Sequence, residues 1–382
     1  MSWRLDNRRK LVLLGLAVLA LLLQALLDAT RAPVRQRDYD LKLAAAERAD
    51  RAFAVLREHR GLEGAVIDLE NDPAGTGLIG PEFSSITNAQ GSLEAKLTSL
   101  NPNWAAVFVG WLRRAGLDAG DPVAVAVSGS FPGLNIALLA AMETLELQPV
   151  IITSVGSSMW GANSPEFTWL DMERVLLDAG VLRTRTALAT FGGGSDTGRG
   201  LSPDGQRQIV DAARRNDVPL LDVRNIEESI ARRMAYYGEQ APGGYRCYVN
   251  IGGGVASLGS SQNRPLLPSG LSRDLGTHNW PRKGTMVLFA ERGVPVVHLL
   301  RVVSLAQEHG LPVSPDFLPQ PGEGEIFVRT MYRFPLALAV LVGYCGLCVL
   351  VLAPEIRRGL FDMLPGRRPA APATTHDNPE KP

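Results

Sequence analysis

Two long apolar segments, one near each end of the chain, constrain the fold of this sequence more than any other feature. Residues 11–27 read LVLLGLAVLALLLQALL and residues 335–353 read PLALAVLVGYCGLCVLVLA, and neither contains Asp, Glu, Lys, Arg or His. As α-helices they extend roughly 26 and 28 Å, close to the ~30 Å thickness of a bilayer's hydrocarbon core. We therefore expect two transmembrane helices that frame one large central region.

The first apolar segment has an alternative interpretation as a cleaved signal peptide. It is longer than the usual apolar region of about 7–15 residues in such a peptide. Asp28, Arg31 and Pro33 also disturb the region where a signal peptidase would cut. We favour an uncleaved anchor, with the signal peptide as the alternative.

Basic residues outside the two segments indicate how the chain is oriented. They are Arg4, Arg8, Arg9 and Lys10 before the first segment, and Arg357, Arg358, Arg367 and Arg368 after the second. The inner flanks also carry arginines, so the positive-inside bias is modest. It predicts a cytoplasmic N-tail (residues 1–10) and an extracytoplasmic main domain. Residues 365–382 are polar and Pro-rich and predict a disordered tail.

The central region divides into three parts. Residues 38–60 have apolar side chains at helical spacing, which predicts an amphipathic helix leaving the membrane. Residues 61–103, rich in Gly, Pro, Asn and Thr, predict an irregular lead-in segment.

In residues 104–310, short apolar runs alternate with helical patterns, which is typical of a parallel sheet covered on both faces. We therefore expect a Rossmann-like α/β domain. Its predicted strands are residues 123–127, 150–153, 186–190, 219–222, 247–251 and 294–298.

Composition and motifs exclude several classes of function. Lys plus Arg and Asp plus Glu both number 39, so the chain lacks the basic excess of a nucleic-acid-binding protein. The sequence has three cysteines and no Cys/His spacing typical of zinc sites. GGGVASLG (residues 252–259) lacks the lysine of a P-loop, and GGGSDTGRG (residues 192–200) lacks dinucleotide spacing. We expect no nucleic acid, no metal and no cofactor.

Four predicted strands end in turns rich in Gly and Ser. The turns are SGSFPGLN (128–135), SVGSSMWGAN (154–163), FGGGSDTGRG (191–200) and NIGGGVASLGSS (250–261). One such turn alone often only reverses the chain. Together they should meet at the carboxyl edge of the sheet, where open α/β sheets bind ligands. Their backbone N–H groups and hydroxyls suit a phosphate or carboxylate anion.

The candidate ligand-binding residues follow from these turns and from nearby charged groups. They are Lys96, Ser128, Gly129, Ser130, Asn135, Ser157, Ser158, Trp160, Asn163, Asp196, Arg199, Asn250, Gly252, Gly253 and Gly254. Trp160 would either stack on a ligand or plug the sheet edge. Lys96 and Arg199 would either pair with a carboxylate or remain solvated surface charges.

Catalysis is an open alternative for the same turns. Ser128 and Ser130 lie on a strand-to-helix turn, although the motif is not G-x-S-x-G. His298 ends an apolar strand and would reach the same edge of the sheet. A catalytic set would be drawn from Ser130, His298 or His278, and Asp171 or Asp196. The simpler interpretation is that these hydroxyls cap a helix and bind a ligand.

Four longer segments carry a resemblance to a known family. They are TGLIGPEFSSITNAQGSLEAKLTSLNPNWAA (76–106), GDPVAVAVSGSFPGLNIA (120–137), SSMWGANSPEFTWLDME (157–173) and YVNIGGGVASLGSS (248–261). With the two apolar segments, they resemble the poly-gamma-glutamate system protein family. The resemblance implies a protein of the bacterial cell membrane that works in poly-gamma-glutamate synthesis or export. It implies as partners the polymer or a glutamate-derived carboxylate, and the membrane synthase or export proteins. The family has no agreed catalytic residues, so the resemblance assigns none.

Three hypotheses about function follow from the sequence. In the first hypothesis, the chain is an accessory protein that binds or guides the anionic polymer at the Gly/Ser-rich crevice. Alternatively, it is a serine hydrolase or transferase that acts on the polymer. A third hypothesis makes it a scaffold for the synthase, using the membrane segments and the helix of residues 38–60.

Overall fold

The computed structural model describes residues 7–363, with side chains described for residues 10–353. Most of the predicted N-tail and the predicted disordered tail of residues 365–382 lie outside the described residues. The chain divides into two compact units, one formed by its two ends and the other by Arg35–Arg329.

The first unit contains the two apolar helices, α1 (Asn7–Ala29) and α12 (Phe334–Met363). Each is long and apolar enough to cross a membrane, and almost none of either apolar stretch is buried within the protein. The two helices contact each other: the Tyr344 hydroxyl donates a hydrogen bond to the backbone oxygen of Leu16 at 3.1 Å. Both predicted apolar segments lie within these helices.

The second unit holds most of the remaining helices and strands. Its helices are α2 (Tyr39–Leu62), α3 (Leu93–Ser99), α4 (Trp104–Ala115), α5 (Pro132–Thr144), α6 (Trp169–Asp178), α7 (Pro203–Arg215), α8 (Ile226–Gln240), α9 (Val255–Leu258), α10 (Thr285–Ala290) and α11 (Val302–Glu308), with a 3₁₀ helix at Ser261–Leu266. The strands of the described chain are β1 (Ala32–Arg35), β2 (Thr87–Ala89), β3 (Pro122–Ser128), β4 (Gln148–Ser154), β5 (Ser157–Ser158), β6 (Asn163–Ser164), β7 (Phe167–Thr168), β8 (Leu188–Thr190), β9 (Leu220–Leu221), β10 (Cys247–Ile251), β11 (Gly270–Ser272), β12 (Val296–Leu299) and β13 (Val328–Met331).

Seven strands form one sheet in the order β11-β12-β10-β3-β4-β8-β9. All neighbouring pairs are parallel except β11 with β12. The six predicted strands are six of these seven, which confirms a mixed α/β fold with a mostly parallel sheet. The sequence did not predict β11, because this edge strand has only three residues, Gly-Leu-Ser, and no β-branched side chain.

The central strand β3 shows why both faces of the sheet are covered. Side chains alternate between the two faces along a strand. Val123, Val125 and Val127 pack into a cluster with residues of α2, α4, α5 and α6. Ala124 and Ala126 belong to a second cluster, which contains residues of α8 and α10. Strands with two buried faces have the continuous apolar runs that the sequence shows.

Helix α2 coincides closely with the helix predicted for residues 38–60 and packs into the core. Ala45, Ala49, Ala52 and Leu56 are fully buried, in the same cluster as residues of α4 and α5. Small alanine side chains allow these helices to approach closely, so α2 is part of the core of the Arg35–Arg329 unit. The compact unit therefore extends beyond the predicted domain of residues 104–310. The lead-in segment of residues 61–103 also contains two short elements, β2 and α3.

Candidate functional site

The order of the strands places a natural crevice beside β3. From β3 the chain adds β4, β8 and β9 on one side, and then returns to add β10 and β12 on the other side. The direction of strand addition therefore reverses between β3 and β10. Ligands of open α/β sheets bind at such a reversal, outside the carboxyl ends of the strands.

A cavity of about 390 Å³ lies at this position, and all four Gly/Ser-rich turns contribute to its lining. The first turn contributes Ser128, Ser130 and Phe131. The other three contribute Ser154, Gly156, Ser158, Gly192, Gly193, Asp196, Gly253, Gly254, Val255, Leu258 and Ser261. The remaining lining residues are Asn88, Ala89, Gln90, Gly91, Ser92, Ala95, Lys96, Arg264 and Leu300. The structure thus brings seven of the sequence-predicted site residues together: Lys96, Ser128, Ser130, Ser158, Asp196, Gly253 and Gly254.

Three predicted asparagines do not line the cavity but brace the turns around it. Asn135 donates a hydrogen bond to the backbone oxygen of Ser128 at 2.9 Å. Asn163 donates to the backbone oxygen of Pro81 at 2.8 Å, and Asn250 donates to that of Gly252 at 2.8 Å. Each side chain satisfies a carbonyl in an irregular segment, so their role in the structure is to fix turn geometry.

Predicted glycines and Ser157 lie in the tightly packed layer behind the cavity. A Cβ atom on Gly129 would lie 3.0 Å from the backbone oxygen of Val155. Gly252 has a φ of 96°, and a Cβ there would lie 2.9 Å from the Ser128 hydroxyl. Ser157 is fully buried and donates to the backbone oxygen of Ser158 at 3.0 Å. Close approach of the turns therefore requires small residues at these positions.

Trp160 and Arg199 lie outside the lining. Trp160 adopts a left-handed φ of 56°, and its buried indole Nε1 has no hydrogen-bond partner among the described residues. Arg199 is exposed on the third turn. Neither residue contributes to the cavity that holds the other predicted groups.

The structure does not assemble the Ser–His–Asp set considered from the sequence. His298 is buried beside Asn250, with its Nδ1 3.0 Å from the Asn250 amide nitrogen, and does not line the cavity. Desolvation lowers the pKa of His298 to about 4. Asp171 caps α6 and pairs with Arg215. His278 is likewise absent from the cavity lining.

Lys96, on the short helix α3, is the most unusual group in the cavity. The residue is only 1% exposed, and its Nζ lies 2.7 Å from the Ser158 hydroxyl. It also donates to the backbone oxygen of Ser130 and lies 4.1 Å from the centroid of the Phe131 ring. No described acidic residue forms an ion pair with it. Burial lowers the pKa of Lys96 from 10.5 to about 7, because desolvation disfavours the charged amine.

The Asp196 carboxylate already has an ion-pair partner and hydrogen-bond donors within the protein. Its carboxylate lies 2.7 Å from the Arg233 guanidinium, and both side chains are 3% exposed. The hydroxyls of Thr190 and Ser229 also donate to it, at 2.9 and 2.5 Å. Asp196 therefore holds the third turn against α8, and its charge is compensated from within the protein.

Arg264, on the 3₁₀ helix, supplies a cation that sequence reasoning missed. Its side chain is exposed, and no described acidic group pairs with it. The backbone N–H groups of nearby Gly253 and Gly254 donate to no described residue. One wall of the cavity, residues 88–92, was also missed, because its segment has no periodic pattern. The cavity therefore contains one exposed cation, Arg264, one buried amine with a lowered pKa, Lys96, and one acid, Asp196, that Arg233 neutralises.

Comparison with known proteins adds little to this geometry. No protein-family model matches the chain, and no curated protein matches it. Among solved structures, the complex of VinN with L-aspartate is similar over 61% of this chain and 66% of that chain, at 10% sequence identity and a TM-score of 0.12. The chain thus spans just under two thirds of that protein's length. A TM-score of 0.12 supports no statement about fold or function.

Proposed function

We propose that this chain is a membrane-anchored accessory protein of poly-gamma-glutamate synthesis or export, which binds the polymer or a glutamate-derived carboxylate in the cavity. The observation that carries the proposal is a cavity with an exposed guanidinium, Arg264, that has no acidic partner among the described residues. Its one acid, Asp196, is already paired. An anion would therefore complete the charge balance of the site.

The donors around the cavity suit a carboxylate. The guanidinium of Arg264 is able to hold a carboxylate through two parallel hydrogen bonds. Gly253 and Gly254 add backbone N–H groups close to it, since a Cβ on Gly253 would lie 2.9 Å from the guanidinium. The serine hydroxyls of the first two turns supply further donors. A γ-linked glutamate chain has one free carboxylate per residue, which agrees with the resemblance of the sequence.

The first prediction concerns affinity for a γ-linked glutamate oligomer. The full-length protein in detergent should bind the oligomer at low salt and more weakly at 0.5 M salt, because salt screens charged contacts. Arg264→Met should weaken binding about 10-fold, which corresponds to about 1.4 kcal/mol. Arg207→Met is the matched control, since Arg207 is exposed on α7 and pairs with Asp204. Isothermal titration calorimetry measures the affinity of the wild type, Arg264→Met and Arg207→Met for the oligomer.

The ligand itself provides the second control. An oligomer whose α-carboxyls are amidated keeps the chain length but loses the charges, and it should not bind. Inorganic phosphate, titrated separately, shows whether the site accepts any anion. Equal binding of the charged and amidated oligomers would refute the proposal, as would no binding at low salt.

The orientation in the membrane is part of the same proposal. The arginines outside the apolar segments support cytoplasmic termini and an extracytoplasmic Arg35–Arg329 unit. Protease added to intact cells should therefore cut within this unit and leave an epitope at the C-terminus protected. Protection of the unit with loss of the C-terminal epitope would reverse the assignment.

A further inference from the structure

The contact between Lys96 and Ser158 has the geometry of a nucleophile and its base. The two groups come from different parts of the chain, α3 and β5, and meet at 2.7 Å inside the cavity. We infer that Ser158 is an acyl-transfer nucleophile and Lys96 its general base, so that the cavity also cleaves or transfers an acyl group. Lysine replaces histidine as the base of a serine in several unrelated enzymes.

The hydrogen bonds around Lys96 fit a neutral amine. A neutral lysine has two N–H donors and one lone pair. In the structure Lys96 Nζ donates one N–H to the backbone oxygen of Ser130 and one to the Ser158 hydroxyl oxygen. Rotation of the neutral amine about its Cε–Nζ bond turns its lone pair toward the Ser158 hydroxyl proton. The Phe131 ring and the burial of the side chain exclude water from the amine. With a pKa of about 7, the amine loses its proton near neutral pH, as a general base requires.

Neighbouring charged groups do not oppose this role. The other titratable groups of the cavity lining are Asp196 and Arg264. Asp196 is held by Arg233, and Arg264 remains available for a substrate carboxylate. Desolvation is the cause of the shift in the pKa of Lys96, with no contribution from a nearby charge.

The serines considered from the sequence are less suited to nucleophilic attack. The Ser130 hydroxyl oxygen accepts a hydrogen bond from the backbone N–H of Ser158 at 3.1 Å. The Ser128 hydroxyl lies 3.4 Å from the backbone nitrogen of Ser130. Among the described residues, neither hydroxyl has a hydrogen bond to a basic side chain. Of these three serines, Ser158 is the one whose hydroxyl contacts a lysine amine.

The chemical step uses only groups that the cavity and its substrate contain. Ser158 Oγ attacks a carbonyl carbon while its proton moves to Lys96 Nζ, which forms a tetrahedral intermediate. The carbon–nitrogen bond of an amide then breaks, and the leaving amine takes that proton from Lys96. An acyl ester on Ser158 remains. Water, or a second amine, attacks the ester with Lys96 again as the base, and this releases a carboxylic acid or a new amide.

The substrate class follows from the charge of the cavity, and this part of the inference rests on the proposed function. Arg264 and the backbone N–H groups of Gly253 and Gly254 would hold a carboxylate in the same cavity as Ser158. A γ-glutamyl amide has such a carboxylate three carbons from the scissile carbonyl. The polymer itself is a chain of such amides.

The test is covalent labelling of the full-length protein in detergent by a fluorophosphonate, which reacts with activated serine hydroxyls. We expect a single adduct at Ser158, located by mass spectrometry, with a rate that rises with pH through about 7. Ser158→Ala should lose the adduct, and Lys96→Met should react at least ~100-fold more slowly. Ser304→Ala and Lys283→Met are matched controls on exposed residues and should keep the wild-type rate. Circular dichroism verifies that each variant is folded.

A second measurement is release of amine from γ-glutamyl-p-nitroanilide and from a γ-linked glutamate oligomer. Turnover that disappears in folded Ser158→Ala supports the inference. Protein that binds the oligomer, yet shows neither labelling at Ser158 nor turnover, overturns the inference and leaves the proposed binding function intact. Labelling at Ser158 without oligomer binding refutes the proposed function instead. Labelling at Ser128 or Ser130 also overturns the inference.

Discussion

Asp196→Ala is expected to destabilise the Arg35–Arg329 unit by about 3–5 kcal/mol, because it leaves the Arg233 guanidinium buried without a partner. The Thr190 and Ser229 hydroxyls lose their acceptor at the same time. Denaturant unfolding of the full-length protein, followed by the fluorescence of its tryptophans, measures the change. The third turn should also move, since Asp196 is its link to α8.

Two controls make this prediction specific. Asp204→Ala removes the partner of Arg207 in an exposed ion pair and should cost no more than about 1 kcal/mol. The double variant Asp196→Leu with Arg233→Met removes both charges and should recover much of the lost stability, as replacement of buried ion pairs by apolar residues does. Equal destabilisation by Asp196→Ala and Asp204→Ala would contradict the account of the pair.

Lys96→Met is expected to remove a pH dependence from the stability of the protein. The pKa of Lys96 is about 7 in the folded protein and 10.5 in the unfolded chain. Between these values the unfolded chain binds one more proton, so the stability of the wild type rises with pH by up to about 1.4 kcal/mol per unit. The whole penalty for burying the charged amine, about 5 kcal/mol, is present below pH 7 and absent above pH 10.5.

The measurement is the difference in unfolding free energy between wild type and Lys96→Met at several pH values from 6 to 10. The advantage of the variant should be greatest at pH 6 and should shrink steadily above pH 7. Lys283→Met is the matched control, because Lys283 is half-exposed and pairs with Glu291. Parallel stability curves for wild type and Lys96→Met would show that the amine has an ordinary pKa.

Much of the sheet was predictable from local pattern. The ends of β10 fall at the predicted residues 247–251, because this strand is a clear apolar run bounded by Arg246 and Gly252. The meeting of the four turns at one cavity follows from parallel topology, which places the carboxyl ends of the strands at one edge. Neither inference required knowledge of a side-chain contact.

The chemistry of the cavity was not predictable in the same way. Lys96 was a candidate only because it lies near glycines, and its burial depends on how the seven-residue helix α3 packs beside the first two turns. Arg264 lies on a 3₁₀ helix without a periodic pattern. The pairing of Asp196 with Arg233 joins positions 37 residues apart. Such contacts depend on tertiary packing, which sequence spacing does not reveal.

The most direct test of the central claim is a structure of the full-length protein with a bound γ-linked glutamate oligomer. We predict a carboxylate within hydrogen-bonding distance of the Arg264 guanidinium, between the four turns, with a glutamyl carbonyl facing Ser158. An oligomer bound elsewhere on the protein, or a cavity filled by rearranged side chains in the presence of the ligand, would contradict the account.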